Sequence, residues 1–311
     1  METYLCITID TECDHTTNWS VSNPVTYHSV LRGVPDLLHP IFMENAAVPT
    51  YLLTNEVLRH EGCVQTLSRL PGRFELGTHL HADYVEPQSR ITEYPGAYPD
   101  DFQIDYPPEV EYGKLATLTG NFEKAFGRSP KVFRAGRFAA NGHTIQSLER
   151  LGYVVDTSVS PHMQWPNREG KQVDYRAAPT QPYRVAPGEI LRKGSGKILE
   201  VPITVRRIFS LRSSVRRLRP SRPIRWLRPF WSSTEMMKKI VDNPAPEDGR
   251  SGPRILNMMF HSMEVIPDAN PYTHSPEDVR RFLDSLGEIL RHCRDRGVKF
   301  TSLEGVAGLY A

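Results

Sequence analysis

The chain reads as an α/β protein built as a barrel of seven or eight strand–helix units. Segments with strand and helix patterning alternate through most of its 311 residues, the arrangement that gives a parallel sheet with helices outside it. That many units in a chain of this length suit a (β/α) barrel better than an open sheet. No GxGxxG follows the first strand, which removes the main argument for a dinucleotide-binding open sheet. A doubly wound sheet without that fingerprint stays the alternative.

Residues 4–10, YLCITID, alternate and are rich in β-formers, so they form the first strand. Residues 29–46 have near-helical apolar spacing, interrupted by Pro35 and Pro40. VPTYLLT (48–54) is a short apolar strand, and 54–70 is a helix opened by an Asn cap. RFELGTHLH (73–81) is a strand, followed by a long loop over 82–107 rich in Pro, Tyr and Asp. Residues 108–127 form a helix that starts at Pro and stops at Gly. PKVFRAG (130–136) is a strand, 143–152 a helix ended by Gly, and YVVDTSVS (153–160) a strand. Residues 161–197 are polar with many turn signals, and ILEVPITV (198–205) is a strand. An Arg-rich stretch runs to about 230, then a helix near 233–242. RILNMMFHS (254–262) is a continuous apolar strand, 275–297 a capped helix, and VKFTSL (298–303) the last strand. The expected organisation is one barrel domain, 1–311, with an Arg-rich insertion at about 206–230.

With 39% hydrophobic residues and a mean hydropathy of −0.44, the composition is that of a soluble globular protein. The net charge of +2, from 38 basic and 36 acidic side chains, points to no particular partner. No run approaches the ~20 apolar residues that cross a bilayer. The N-terminus enters a strand without the basic and apolar regions of a secretory leader. Cys6, Cys13, Cys63 and Cys293 are scattered without a CxxC pair, so they read as reduced thiols of a cytoplasmic protein.

ITIDTECDH (7–15) crowds Asp10, Glu12 and Asp14 behind the first strand. Like charges at short range repel, so the cluster needs open water or a cation. Residues two apart on a strand face the same side. Asp10 and Glu12 therefore share a face, as do His79 and His81, with Asp83 in the same parity if the chain stays extended. Both pairs lie at strand C-terminal ends, where a parallel barrel has its active-site mouth. Two imidazoles and a carboxylate suit a divalent site of the zinc type, and a further carboxylate beside it is placed as a base. An HxH pair also occurs without metal, and an acidic cluster after a strand also serves as a helix cap or solvated loop; Asp14 and His15 fit that blander reading. Arg134 ends the strand in VFRAGRF, and His261 ends the apolar run LNMMFH.

In this order, the acid pair, histidine pair, arginine and lone histidine resemble the polysaccharide deacetylases, the NodB-like carbohydrate esterases. The resemblance spans roughly residues 3 to 305 and implies a distorted (β/α) barrel. TIDTE is similar to the variant of the first motif with one residue between the acids, which makes Asp10 the catalytic base and Glu12 the metal-side acid. GTHLHAD is similar to the HxH branch associated with surface-polysaccharide synthesis, where the usual second histidine, four after the first, is here Asp83. The second imidazole ligand therefore stands between His81 and a switch to Asp83. RAGR keeps the third motif's Arg134 but has Gly136 and Arg137 where the family has Pro and Tyr. His261 matches the last motif, and Asp156 in VVDTSVSP sits where the family often has an acid near that histidine. The resemblance implies metal-assisted hydrolysis of an acetylated amino sugar, nucleotide-, lipid- or polymer-linked, with a divalent cation, best zinc, on Glu12, His79 and His81. Asp10 would be the base and Arg134 its partner. His261 would be the acid with Asp156 behind it, and the backbone N–H of Arg137 would meet the oxyanion. A related amidohydrolase acting on a formamide or cyclic amide, or a degenerate glycan-binding relative, would share these residues.

Residues 206–228 hold nine arginines and no acid, with Phe209 and Trp226 among them. The bland reading is a solvated insertion by the barrel mouth. The alternative is contact with an anionic glycan or a membrane surface, with Trp226 and Phe230 resting on a sugar face or lipid interface. No nucleic-acid motif accompanies the run, so nucleic acid is not the expected partner.

Overall fold

Strand β1, Thr3–Thr11, is the hub of the sheet, and every residue from Leu5 to Thr11 is buried. A parallel barrel covers both faces of its strands, which is why this one reads as a nearly unbroken apolar run. The computed structural model describes residues 2–167, 170–208, 224–244 and 252–310. Strands β2 (Pro49–Leu53), β3 (Glu75–Leu80), β4 (Val132–Ala135) and β5 (Val155–Asp156) follow β1 in parallel order, and Leu199–Glu200 pairs with β5. On the other side of β1 runs Arg254–His261, in register from Thr3 opposite Arg254 to Asp10 opposite His261.

The ladder bonds alone make a curled, open sheet; residues 201–204 draw its edges together. Val201 N donates to Asp156 O (2.8 Å), Ile203 N to Val159 O (2.9 Å), and Thr204 N to Asn257 O (3.0 Å). Asn257 N in turn donates to Thr204 Oγ1 (2.8 Å). Residues 199–204 thus stand as the seventh stave of a distorted barrel, the expected fold class. The barrel is pinched here because side-chain oxygens replace ladder carbonyls. Ala135 N donates to Ser158 Oγ (2.9 Å) and Val159 N to Glu200 Oε1 (3.0 Å), so the strand expected over 153–160 shrinks to Val155–Asp156.

Other boundaries differ for local reasons. The helix expected over 54–70 is two, Asn55–Arg59 and Glu61–Ser68, broken at His60, whose ring caps the second by accepting from Cys63 N (3.1 Å). The turn-rich stretch 161–197 holds two short antiparallel pairs, Gln164–Pro166 with Gln172–Asp174 and Tyr183–Ala186 with Glu189–Lys193. A final helix, Leu303–Leu309, capped by Ser302, was not foreseen. Among the described residues no helix is long and apolar enough to cross a membrane.

The Arg-rich segment begins and ends as a two-stranded ribbon, Val205–Arg207 against Ile224–Trp226. Phe209, Arg212, Arg216, Arg217, Arg219 and Arg222 lie outside the described residues. At the described ends, Arg206, Trp226 and Arg228 are each only 3% exposed, while Arg207 is exposed. Trp226 packs against Phe138, Trp165 and Trp231, so it offers no free face to a sugar or lipid. Phe230, stacked on Tyr272 and Phe282, stays partly exposed.

Candidate active site

Strand register assembles the site. Asp10 on β1 lies opposite His261, and His79 on β3 lies opposite Arg134 on β4. All four project at the C-terminal ends of their strands, the mouth of a parallel barrel.

Arg134 is wholly buried and spends its guanidinium inward. Nη1 donates to Asp10 Oδ1 (2.5 Å), Nη2 to Thr8 Oγ1 (2.6 Å) and Nε to Thr157 O (3.1 Å). Burial pushes the Asp10 carboxyl up, but Arg134, with His79 and His261, outweighs it and holds Asp10 below the ordinary carboxylate range. Asp10 is therefore ionised with one oxygen occupied. Its Oδ2 lies 3.9 Å from Nε2 of both His79 and His261.

His79 Nδ1 lies 3.0 Å from Arg134 O. A carbonyl only accepts, so Nδ1 carries the proton and Nε2 keeps its lone pair. That Nε2 is 3.6 Å from Glu12 Oε1, and His81 Nε2 is 3.3 Å from Glu12 Oε2. Glu12 and the two histidines each offer a ligand atom, all within 4.8 Å of one another. Donors held ~2.0–2.2 Å from one tetrahedral ion sit about 3.3–3.6 Å apart, so the spacing fits a divalent cation. Asp10, Glu12 and His261 make a second, overlapping set. Burial pushes Glu12 up, yet the His81 charge, with the imidazoles beside it, holds it well below its usual range.

Asp83 does not join these sets. The chain turns through Ala82–Tyr84 instead of staying extended, and Asp83 Oδ1 accepts from Asp101 N (3.1 Å). His81 takes the position by Glu12, and Gly136 is its complement. A Cβ at 136 would lie 2.5 Å from Leu80 O and 3.0 Å from His81 Nδ1. The proline of the family's third motif does not fit beside a histidine at 81.

His261 has a different partner from the one expected. Its Nδ1 is 3.0 Å from Glu264 Oε1 and 3.1 Å from Arg228 Nη2, and Arg228 Nη2 donates to Glu264 Oε1 (2.6 Å). Burial pushes the Glu264 carboxyl up, but Arg228 and His261 hold it below its usual range. Asp156, expected behind His261, belongs elsewhere. It is fully buried opposite Glu200, bonded to Ser158 Oγ (2.6 Å) and to the Glu200 side chain. The sequence offered a signal for Glu264, which sits three after His261 in HSME. A 3-10 turn, Ser262–Val265, brings residues three apart together. Arg228 was hidden as one member of a run.

Asp14 is a structural clasp, accepting from Thr26 Oγ1 (2.8 Å), His28 N (2.7 Å) and Ser29 N (3.0 Å). His15 does more than the loop reading allows. It lines the cleft with Nε2 3.8 Å from Glu12 Oε2, and burial lowers its pKa to about 4, so its ring is neutral. Arg137, in the left-handed region (φ 54°), stands at the cleft edge with its side chain paired to Asp100. The cleft over these groups has a volume of about 240 Å³ and is walled by aromatic side chains.

Solved structures share this fold. A candidate polysaccharide deacetylase from Mycobacterium smegmatis superposes with a TM-score of 0.55 over 99% of this chain and 90% of its own, at 15% identity. A GH57 branching enzyme from the archaeon Thermococcus kodakaraensis gives 0.54 over 100% of this chain and 72% of its own, at 11% identity. A family 4 carbohydrate esterase from Streptomyces lividans, solved with acetate, aligns over 96% and 91% at 9% identity, but its TM-score of 0.43 is too low to weigh. No protein-family profile and no curated protein sequence matches the chain. The chain has the polysaccharide-deacetylase (NodB-like) fold; identities this low speak to fold alone.

Proposed function

We propose that this protein is a metal-dependent hydrolase that removes an N-acetyl group from an amino sugar of a polysaccharide or its precursor. One observation carries the reading. Asp10, held ionised by Arg134, and His261, held by Glu264, stand side by side, Asp10 Oδ2 3.9 Å from His261 Nε2, next to the Glu12–His79–His81 cluster. That places a base and an acid together beside a cation site.

Glu12, His79 and His81 would hold the cation, and two imidazole nitrogens with one carboxylate favour zinc. The chemistry such a cation supplies is Lewis-acid polarisation of an amide carbonyl and acidification of water. Asp10 takes the attacking water's proton at Oδ2, since Oδ1 is occupied by Arg134. Glu264 accepts a hydrogen bond from Nδ1–H of His261, which orients the ring and stabilises its charged form. Nε2 then protonates the departing amine nitrogen. The backbone N–H of Arg137 is our candidate donor to the oxyanion. Hydroxyl ends on the acetyl carbon and hydrogen on the nitrogen, giving acetate and a free amino sugar.

The same groups suit a formamide or a cyclic amide, but the aromatic walls favour a sugar, whose C–H faces rest on rings. Acetate release from N-acetylated amino sugars, with and without a chelator, is the test. Release abolished by chelation and restored by zinc is expected. Sugar binding with no release under any metal would leave a glycan-binding protein. We further read the chain as one barrel domain acting in the cytoplasm. The positive charge of residues 206–228 would draw it to anionic lipid or glycan rather than nucleic acid. Co-sedimentation with phosphatidylglycerol vesicles, lost on raising salt, checks that contact.

A further inference from the structure

The Arg-rich stretch ends inside the candidate site, and its last residues are fixed to the barrel before Arg228 is reached. Trp226 pairs with Val205 in the two-stranded ribbon, Leu227 N donates to Thr204 O (3.0 Å), and Thr204 N donates to Asn257 O (3.0 Å). Asn257 stands on the strand that ends at His261. Arg228 thus enters the site from a backbone tied to that same strand. The chain then turns, with Ser232 N donating to Arg228 O (3.0 Å) and Trp231 N to Pro229 O (2.9 Å). The turn brings the Trp231 ring centre to 5.2 Å from the Arg228 guanidinium, and the Tyr272 ring centre lies at 5.4 Å. Both are within the ~6 Å at which a cation is drawn to a ring. Tyr272 meets Trp19 edge-on (5.7 Å), and the Trp19 ring lies 4.9 Å from that of His261.

Arg228 has little left to offer a substrate. It is 3% exposed, although it lines the cleft. Nη2 donates to Glu264 Oε1 (2.6 Å), and Nε is buried without a hydrogen-bond partner. An arginine that captures an anion from solution presents its planar fork to it; this one turns Nη2 to a carboxylate of its own chain.

Glu264 needs that contact. Its side chain is wholly buried, and Oε1 takes three donors: His261 N (3.1 Å), His261 Nδ1 (3.0 Å) and Arg228 Nη2. Oε2 has no partner. Two of the three donors belong to His261, in the same 3-10 turn, so they tie Glu264 only to the residue it serves. The Arg228 bond comes from another element and fixes the pair in place. Nη2 also stands 3.1 Å from His261 Nδ1. A guanidinium nitrogen cannot accept a proton bond, so Glu264 Oε1 is the acceptor for Nδ1–H. A buried carboxylate stripped of its cation is costly to keep, and Glu264 without Arg228 would be drawn away toward water.

We infer that Arg228 is a positioning residue for the proposed reaction: it anchors Glu264 against His261 Nδ1 and so keeps Nε2 aimed at the departing amine. The end of the Arg-rich stretch builds the site, whatever its other arginines attract. The effect on acetyl removal rests on the reading above; the placement of Glu264 and of the Nδ1 proton does not.

The test is a double-variant cycle in the zinc-loaded full chain. Arg228→Met should lower kcat for acetate release from N-acetylated amino sugars by about 10–100-fold, as loss of an outer partner does, with KM changed by less than about twofold. Arg228→Lys keeps the charge without the planar fork and should recover part of that loss. Arg228→Met combined with Glu264→Gln should match Glu264→Gln alone within about twofold, because Arg228 acts through Glu264. NMR of protein labelled with nitrogen-15 at histidine gives a readout apart from activity. The His261 Nδ1 proton, assigned by its absence from His261→Ala, should be seen in wild type and Arg228→Lys and lost in Arg228→Met. A raised KM at constant kcat would make Arg228 a substrate ligand, and losses that multiply in the double variant would make it independent of Glu264; either overturns the inference. So would a bare Nδ1 in wild type, or an Nδ1 signal unchanged in Arg228→Met. Should Arg228→Met not fold, Arg228→Lys is read alone: a reduced kcat at constant KM is expected, and wild-type kcat would overturn the role. If no metal supports acetate release, the hydrolase reading falls, and the Nδ1 signal alone decides the placement.

Discussion

The barrel interior holds two pairs of buried carboxyl groups, and they settle in opposite states. Asp10 and Glu12 are 2% and 3% exposed, while Asp156 and Glu200 are both fully buried. Burial pushes all four upward. Arg134 and the surrounding imidazoles reverse that push for Asp10 and Glu12. Glu200 is raised well above its usual range by burial and by Asp156, and Asp156 is raised by burial. Two carboxyl groups joined by a hydrogen bond must share a proton. A strand-end position therefore does not set an acid's charge; its counter-charge does. Asp156 looked like Asp10 in sequence and differs in what it faces.

Variants of both pairs test this contrast. The largest effect is expected at Asp10. Asp10→Asn should retain metal yet remove most acetate release, because an amide cannot accept the water's proton. His261→Ala should lower turnover by roughly 10²–10⁴, the usual worth of a general acid. Stopped acetate assays on both variants check this, and unchanged turnover in both would move the chemistry elsewhere. Arg134→Met should leave Asp10 as an uncompensated buried charge. The loss is about 3–5 kcal/mol, a melting temperature lower by on the order of 10 °C, readable by calorimetry. Glu264→Gln should reduce turnover by about 10–100-fold, as removal of a ligand-orienting partner does. Asp156→Asn should leave turnover within about twofold, because Asp156 bonds Ser158, Thr157 and Glu200 rather than His261.

The smallest effect is in pH dependence, and its sign separates the pairs. Glu200 has a folded pKa above its unfolded one, so its stabilisation is full below the unfolded value and lost as pH rises through the folded one. Asp10 and Glu12 are depressed, so in metal-free protein their contribution is present above the unfolded value and lost as pH falls through the folded one. Glu200→Gln should flatten the decline in denaturant midpoint as pH rises above the ordinary glutamate range. An unchanged slope would mean the pair is not the protonated one.

Much of this was legible in sequence. Parity placed Asp10 beside Glu12 and His79 beside His81, because a strand's period of two survives in any fold. The alternation of strands and helices was enough for the barrel. What escaped depends on turns and on partners far along the chain. Asp83 keeps the right parity only while the backbone stays extended, and it turns at Ala82. Glu264 reaches His261 through a 3-10 turn that spacing alone does not announce. Arg228 read as one of nine like charges, although a single buried carboxylate sets it apart. Trp19 stood in a polar loop, where nothing local shows that the loop folds back over His261.

The central claim is that Asp10 works beside a cation held by Glu12, His79 and His81. The direct test strips the purified protein with a chelator and titrates zinc back. Bound metal and acetate release from acetylated amino sugars are measured at each step, in wild type and in Asp10→Asn. The account predicts that wild-type activity rises with bound zinc and saturates at one ion per chain, while Asp10→Asn fills its site equally and releases almost no acetate. Acetate release that ignores the metal, or a protein that binds none, would contradict it.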